Sequence, residues 1–158
     1  MTRLKLDPKV EKALVEIDFF KRYEELSGKF NEERTPMDER LIYAERDTVM
    51  DVVEQLGYSV KHFNKQESFY YTENEELGAY TFKTKFDLKY GMVELIWDVH
   101  EGKRVILGTP WGEFSRRMID PTYIIRKPIF GTYEDLDEIF AVAYQMYEDF
   151  KKAMTNIE

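Results

Sequence analysis

The sequence predicts an α+β protein with an antiparallel sheet, and three observations predict it. Two stretches near the start carry helix-start signals and apolar residues at helical spacing, a central run alternates between apolar and polar residues, and a long apolar stripe closes the chain. Segregated helices and sequential strands favour α+β over an alternating α/β fold. We expect a single domain over residues 1–158, whose sheet is a meander of four to six strands within about residues 58–126.

Two N-terminal helices follow from capping signals and apolar spacing. Asp7 followed by Pro8 is a typical N-cap and first helical position, and apolar residues then recur every three or four positions. This pattern predicts a helix over residues 8–27. Thr35 begins a second start signal, and a similar stripe predicts a helix over residues 37–56.

The central alternation predicts a β-hairpin and its register. A two-residue turn at Tyr90 and Gly91 makes each pair of opposed residue numbers sum to 181. A slip by one residue would bury Glu94 and Asp98, which is costly for unpaired charges. The opposed pairs on the apolar face are then Phe82 with Val99, Thr84 with Trp97, and Phe86 with Leu95.

Shorter strands are expected on both sides of this hairpin. Residues 58–73 resemble one or two strands, and residues 101–103 read as a three-residue hairpin loop leading to a third strand that ends near Leu107. Residues 113–118 and 123–125 are expected as further short strands. These segments complete the predicted meander.

The C-terminal segment predicts one long helix packed on one face of the sheet. Thr132 begins a capping signature, and an apolar stripe then continues to Met154. The opposite face includes Glu148 and Lys151, which we expect in solvent.

Composition excludes several classes of protein. The net charge of −8 disfavours a nucleic-acid binder, which needs clustered Lys and Arg, and suits a protein partner with a basic surface. The absence of cysteine excludes disulfides, thiolate catalysis and cysteine-based zinc sites. No apolar run has the length of a membrane span, and the start lacks a secretory signal, so a soluble cytoplasmic protein is the expectation.

The predicted register places two carboxylates opposite each other, Asp87 and Glu94. Two acids held close can share a proton or bind a divalent cation. Lys85 and Lys89 flank Asp87 and offer the simpler alternative, in which the acids are neutralised by neighbouring cations.

Asp98 and His100 share the face of Glu94, since they lie two residues apart. An Asp-x-His pair on a strand supplies two metal ligands or a base oriented by an acid. The alternative is an ordinary cross-strand ion pair, because Lys83 lies opposite Asp98 in the predicted register.

Two further features are candidates for binding. Arg104, Arg116 and Arg117 belong to the densest basic group and would suit an anion such as phosphate, or would simply balance acidic helix faces. Trp111 lies in a loop bounded by glycines, where an exposed ring would be an interaction hot spot and a buried ring would belong to the core.

These observations favour a small non-enzymatic protein that binds another protein, in an inhibitor, immunity-like or adaptor role, with self-association as a homodimer. No cofactor and no metal are expected under this hypothesis. The alternative is a metal- or water-dependent hydrolase or small-ligand enzyme that uses the Asp, Glu and His cluster. A third hypothesis is an anion or nucleotide sensor built on Arg116 and Arg117.

Overall fold

A computed structural model describes residues 5–63, 65 and 68–156, and these residues contain five α-helices and six β-strands. The helices are α1 (Pro8–Glu16), α2 (Phe19–Lys29), α3 (Arg46–Glu54), α4 (Gly112–Met118) and α5 (Tyr133–Thr155). The strands are β1 (Val60–His62), β2 (Phe69–Thr72), β3 (Glu75–Leu77), β4 (Tyr80–Asp87), β5 (Glu94–Glu101) and β6 (Arg104–Pro110). The predicted α+β class is confirmed, with two N-terminal helices and a long C-terminal one.

All six strands form one antiparallel sheet in the order β1-β2-β4-β5-β6, and β3 pairs with β4 beyond the end of β2. The predicted register of the central hairpin is confirmed, with Phe82 opposite Val99 and Phe86 opposite Leu95. Alternation with a period of two sends one set of side chains of β4 and β5 into the core, while the other set is half-buried on the opposite face.

Helix α5 packs on the apolar face of the sheet through aromatic contacts. The ring of Phe140 lies 4.5 Å from that of Phe86, and Phe150 stacks on Trp97 at 4.6 Å. Thr132 caps this helix by accepting a hydrogen bond from the amide of Asp135, as its capping signature predicts. The predicted packing of the C-terminal helix on one face of the sheet is therefore confirmed.

The first predicted helix, over residues 8–27, is two helices in the structure. Helix α1 ends before Asp18, which adopts a left-handed backbone with φ of 57° and so breaks the helical path. Apolar spacing alone did not reveal the break, because both helices bury apolar residues against the same core.

The second predicted helix, over residues 37–56, is helical only in part. Its start is a single 3-10 turn, Met37–Glu39, and the α-helix begins at Arg46. The intervening backbone bonds to other elements, since the Leu41 amide donates to the Phe130 carbonyl and the Glu45 amide donates to the Tyr133 hydroxyl. Those bonds replace the helical ones.

The loop between β5 and β6 is shorter than predicted, and β6 is longer. Glu101 pairs with Arg104, which leaves a two-residue turn, and β6 continues to Pro110 rather than ending near Leu107. A bulge beside Val99 shifts the register within this pair. An extra residue inserted by a bulge is not visible in an alternating pattern.

The two last predicted strands are wrong. Residues 113–118 lie in helix α4, which buries Phe114 and Ser115, and residues 123–125 form no strand. The Ser115 hydroxyl donates a hydrogen bond to the Tyr123 carbonyl, so the later segment is held against α4 instead of joining the sheet.

Candidate functional site

The two opposed carboxylates lie where the sequence predicts, but each has its own partner. Asp87 pairs with Glu94 in the register of β4 and β5. The Ser68 hydroxyl and the Lys89 amide donate to Asp87 Oδ1 at 2.6 and 3.1 Å, whereas Lys127 Nζ lies 3.2 Å from Glu94 Oε2. These bonds compensate the like-charge opposition at each carboxylate separately.

Asp98 is held in an ion pair, although not with the lysine that register suggests. Lys85 Nζ lies 2.6 Å from Asp98 Oδ2 on the half-buried face. Lys83 stands opposite Asp98 in the ladder, but its ammonium lies over the ring of Tyr71 at 4.6 Å. His100 follows two residues later on the same face of β5, at the bulge.

Two carboxylates of this acidic face, Glu94 and Asp98, are held in ion pairs. Within the ranges that the structure describes, no group of three or more His, Asp or Glu side chains is arranged to hold a metal ion. The bonds to Lys85 and Lys127 occupy carboxylate oxygens that a metal ligand or a general base would need.

Each of the three arginines is engaged with a carboxylate, and Arg104 lies on a different element from the other two. Arg116 and Arg117 both reach Glu113, at 3.3 and 3.5 Å, so this carboxylate competes with any external anion. Arg104 begins β6, a strand of seven residues that is about 20 Å long, whereas Arg116 and Arg117 follow that strand in α4. Arg104 donates to Glu101, and this hydrogen bond holds the pKa of Glu101 below its usual range.

Trp111 belongs to the core. Its side chain is 1% exposed, and its ring centroid lies 5.0 Å from Phe19, 5.1 Å from Tyr23 and 5.2 Å from Trp97. Of the two alternatives that the sequence left open, the structure supports the buried ring, which joins α2 to the sheet.

A buried charged cluster escaped the sequence reasoning, which placed Lys151 in solvent. Lys151 is 2% exposed, and its ammonium lies 2.7 Å from both Glu75 Oε2 and Glu148 Oε2 and 4.4 Å from the ring centre of Tyr147. Burial alone would raise the pKa of Glu148, but hydrogen bonds from Lys151 and Tyr58 hold it below its usual range. The cluster fastens β3 to α5.

A signal for this burial was present in the sequence. Lys151 follows Tyr147 by four residues and precedes Met154 by three, so all three lie on one stripe of the helix. The sequence reasoning placed Lys151 in solvent because the residue is charged, whereas its position in the helix lies on the buried stripe.

A concave, partly exposed apolar surface also escaped the sequence reasoning, and we call it the tyrosine patch: Ile42, Tyr43, Tyr70, Leu88 and Tyr90. The side chains of Tyr43 and Tyr90 are 89% and 62% exposed, and both line a hollow of about 420 Å³. Tyr70 and Leu88 are buried and form part of its wall. Two exposed tyrosines thus converge on one concave surface.

The turn between β4 and β5 presents Tyr90 to solvent. Tyr90 and Gly91 both have left-handed backbones, with φ of 60° and 71°. Consecutive left-handed residues suit a two-residue hairpin turn, in which Asn and Gly are preferred. The Arg40 guanidinium donates to the Tyr90 carbonyl at 3.4 Å. The sequence located this turn but gave no sign that residues 42 and 43 lie beside it.

Comparison with known proteins places this chain in no group. No family model matches it, and neither the curated proteins nor the solved structures contain a significantly similar chain. In the part of the chain that the structure describes, no helix is long and apolar enough to cross a membrane. Function is therefore inferred from the chain's own side chains.

Proposed function

We propose that this protein acts by binding another protein and that the tyrosine patch is its contact surface. The main support for this proposal is that Tyr43 and Tyr90, both largely exposed, line the same hollow. Tyrosine is enriched among residues that dominate binding energy, and a hollow beside it accepts an anchoring side chain of the partner. Single exposed apolar residues are common, but a group of them around a hollow marks an interaction surface.

The backbone of Tyr90 supports this proposal. Among the described residues, the non-glycine positions with positive φ are Asp18 and Tyr90. Aspartate tolerates the left-handed conformation because its short side chain bonds locally, whereas an aromatic residue is strained there. Strain of this kind persists where the exposed side chain is needed, which favours a role for Tyr90 in binding.

The charge of the segment that carries Tyr43 favours a basic partner. Residues 32–54, which carry Tyr43, include eight acidic and three basic residues. All three cations are engaged internally, since Arg34 bonds to Asp135, Arg40 lies 3.6 Å from Glu32 and Arg46 lies 3.4 Å from Asp47. A second copy of this chain is the alternative occupant, but two acidic segments would then face each other, which weakens the contact.

Photo-crosslinking in the cells that produce the protein tests this proposal. A benzoylphenylalanine placed at position 43 or 90 is expected to give a discrete adduct with one partner protein. Ile124 is the control position, since it is apolar and 69% exposed but does not line the hollow. Identical adducts at positions 43 and 124, or none at 43, would contradict the proposal, and an adduct of twice the chain's mass would replace the partner with a second copy.

A further inference from the structure

We infer that the partner presents a short extended segment in which an apolar side chain and a Lys or Arg lie about two residues apart. The inference rests on the proposed function and specifies the chemistry of the partner at the same surface. It depends on a second hollow that adjoins the first.

The second hollow has a volume of about 340 Å³ and shares Ala44 and Tyr70 with the first. It lies where the N-terminus of α3 meets β1 and β2. The residues around it are Ala44, Glu45, Arg46, Asp47, His62 and Tyr70. Because the two hollows share part of their walls, one bound segment is able to place neighbouring side chains in both.

Charge is divided between the two hollows. Lys89 lines only the first, whereas Glu45 and Asp47 line only the second. Arg46 Nε lies 3.4 Å from Asp47 Oδ1, so one of the two acids has an adjacent cation. In the part of the chain described, Glu45 makes no ion pair. The second hollow therefore retains negative charge, and a cation of the partner is attracted to it rather than to the first hollow.

Because the two hollows adjoin at Ala44 and Tyr70, an extended segment is able to span both. Side chains two residues apart on a strand point to the same side and are about 7 Å apart. An apolar side chain in the first hollow would then contact Tyr43 and Tyr90, while a Lys or Arg two positions away would reach Glu45 and Asp47. The buried ring of Tyr70 forms the wall between them.

Panning a phage library of random twelve-residue peptides on the immobilised protein tests this inference. The same library is panned on the Tyr43→Ala/Tyr90→Asn variant, and only peptides retained by the native chain and lost on the variant are sequenced. We expect these peptides to carry an apolar residue within two positions of a Lys or Arg. On a Glu45→Lys/Asp47→Lys variant, the selected cation is expected to become Asp or Glu.

A milder pair of substitutions guards against unfolding of the charge-reversed variant. Glu45→Gln/Asp47→Asn removes the charge with little change of shape and is expected to weaken a selected peptide about fivefold, measured by fluorescence anisotropy. Raising the salt concentration should weaken binding to the native chain more than binding to this variant, because screening acts on the charge that the variant lacks.

The outcomes separate this inference from the proposed function. Peptides that depend on Tyr43 and Tyr90 but show no basic residue, or the same residues on the charge-reversed variant, would overturn the inference and leave the binding function intact. Peptides that bind the native chain and the tyrosine variant equally, or no enriched peptide at all, would overturn both.

Discussion

Two turns of this molecule carry the same local sequence, an aromatic residue followed by glycine, but the aromatic side chain is buried in one and exposed in the other. Trp111 precedes Gly112 after β6 and is almost completely buried, whereas Tyr90 precedes Gly91 after β4 and is mostly exposed. The difference comes from elements distant in sequence. Helix α2 brings Phe19 over the tryptophan, while the tyrosine lies at a hairpin tip. Local sequence therefore does not decide which aromatic residue is available to a partner.

This comparison reassigns the candidate contact residue. The sequence pointed to Trp111 because large aromatic residues in glycine-bounded loops often mediate contacts. The structure gives that ring a packing role, and the two most exposed aromatic residues among those described are Tyr43 and Tyr90. Substitutions at Trp111 should accordingly change stability, whereas substitutions at Tyr43 and Tyr90 should change binding.

The largest expected effect is at Trp111. Trp111→Ala removes a ring packed among three aromatic neighbours and should lower the free energy of unfolding by about 3–5 kcal/mol. Tyr43→Ala, the exposed counterpart, should change it by less than about 0.5 kcal/mol. Urea denaturation of both variants measures this difference, and equal losses would erase the distinction between the two regions.

Alkaline pH should also destabilise the buried aromatic region. Burial raises the pKa of Tyr70 from an ordinary value of 10 to about 12, and it raises the pKa values of Tyr23, Tyr144 and Tyr147 as well. As the pH rises above 10, the unfolded chain releases phenolic protons that the folded chain retains, so stability present below pH 10 is lost.

Tyr70→Phe should make this alkaline loss shallower. Val60→Ala is the control, since it creates a small cavity without removing a phenol and should lower stability equally at every pH. Denaturation midpoints between pH 8 and 11 measure the slopes. Identical slopes for Tyr70→Phe and the native chain would show that Tyr70 does not contribute to the loss.

Lys151 and its neighbour Lys152 extend the comparison of buried and exposed positions to charged residues. Lys151→Ala leaves Glu75 and Glu148 without their shared cation and should cost about 2 kcal/mol. Lys152→Ala, at an exposed position of the same helix, should cost less than about 0.5 kcal/mol. Thermal unfolding of the two variants measures this difference. A similarly small loss of stability in both would mean that the cluster around Lys151 contributes little.

Apart from the control substitutions, the smallest effect is expected at the exposed turn, and it is a gain in stability. Tyr90→Asn replaces a strained left-handed aromatic residue with one that tolerates this conformation, and should raise the free energy of unfolding by about 0.5–1 kcal/mol. Tyr90→Phe keeps the strain and should leave stability unchanged. A loss of stability in Tyr90→Asn would show that the ring supports the fold.

The parts of the fold that sequence predicted are those with strong local periodicity. Alternation from Tyr80 to Val99 allows one register, because the alternative would bury Glu94 and Asp98. The apolar stripe of α5 is long enough to predict both that this segment is a helix and which of its faces packs on the sheet. In both elements the local pattern and the tertiary contacts agree.

The remaining parts depend on contacts that no local pattern contains. Asp18 breaks a continuous apolar stripe through its backbone conformation, and the segment before α3 bonds to Phe130 and Tyr133 instead of to itself. The predicted opposition of Asp87 and Glu94 was correct, but Lys127, more than thirty residues away, neutralises one of them. The tyrosine patch likewise assembles residues from three separate segments.

The most direct test of the central claim combines stability and binding in one variant, Tyr90→Asn with benzoylphenylalanine at position 43. If Tyr90 is retained for binding, the melting temperature should rise while the yield of the partner adduct from position 43 falls. A raised melting temperature with an unchanged adduct yield would show that Tyr90 contributes nothing to the contact and would contradict its assignment to the binding surface.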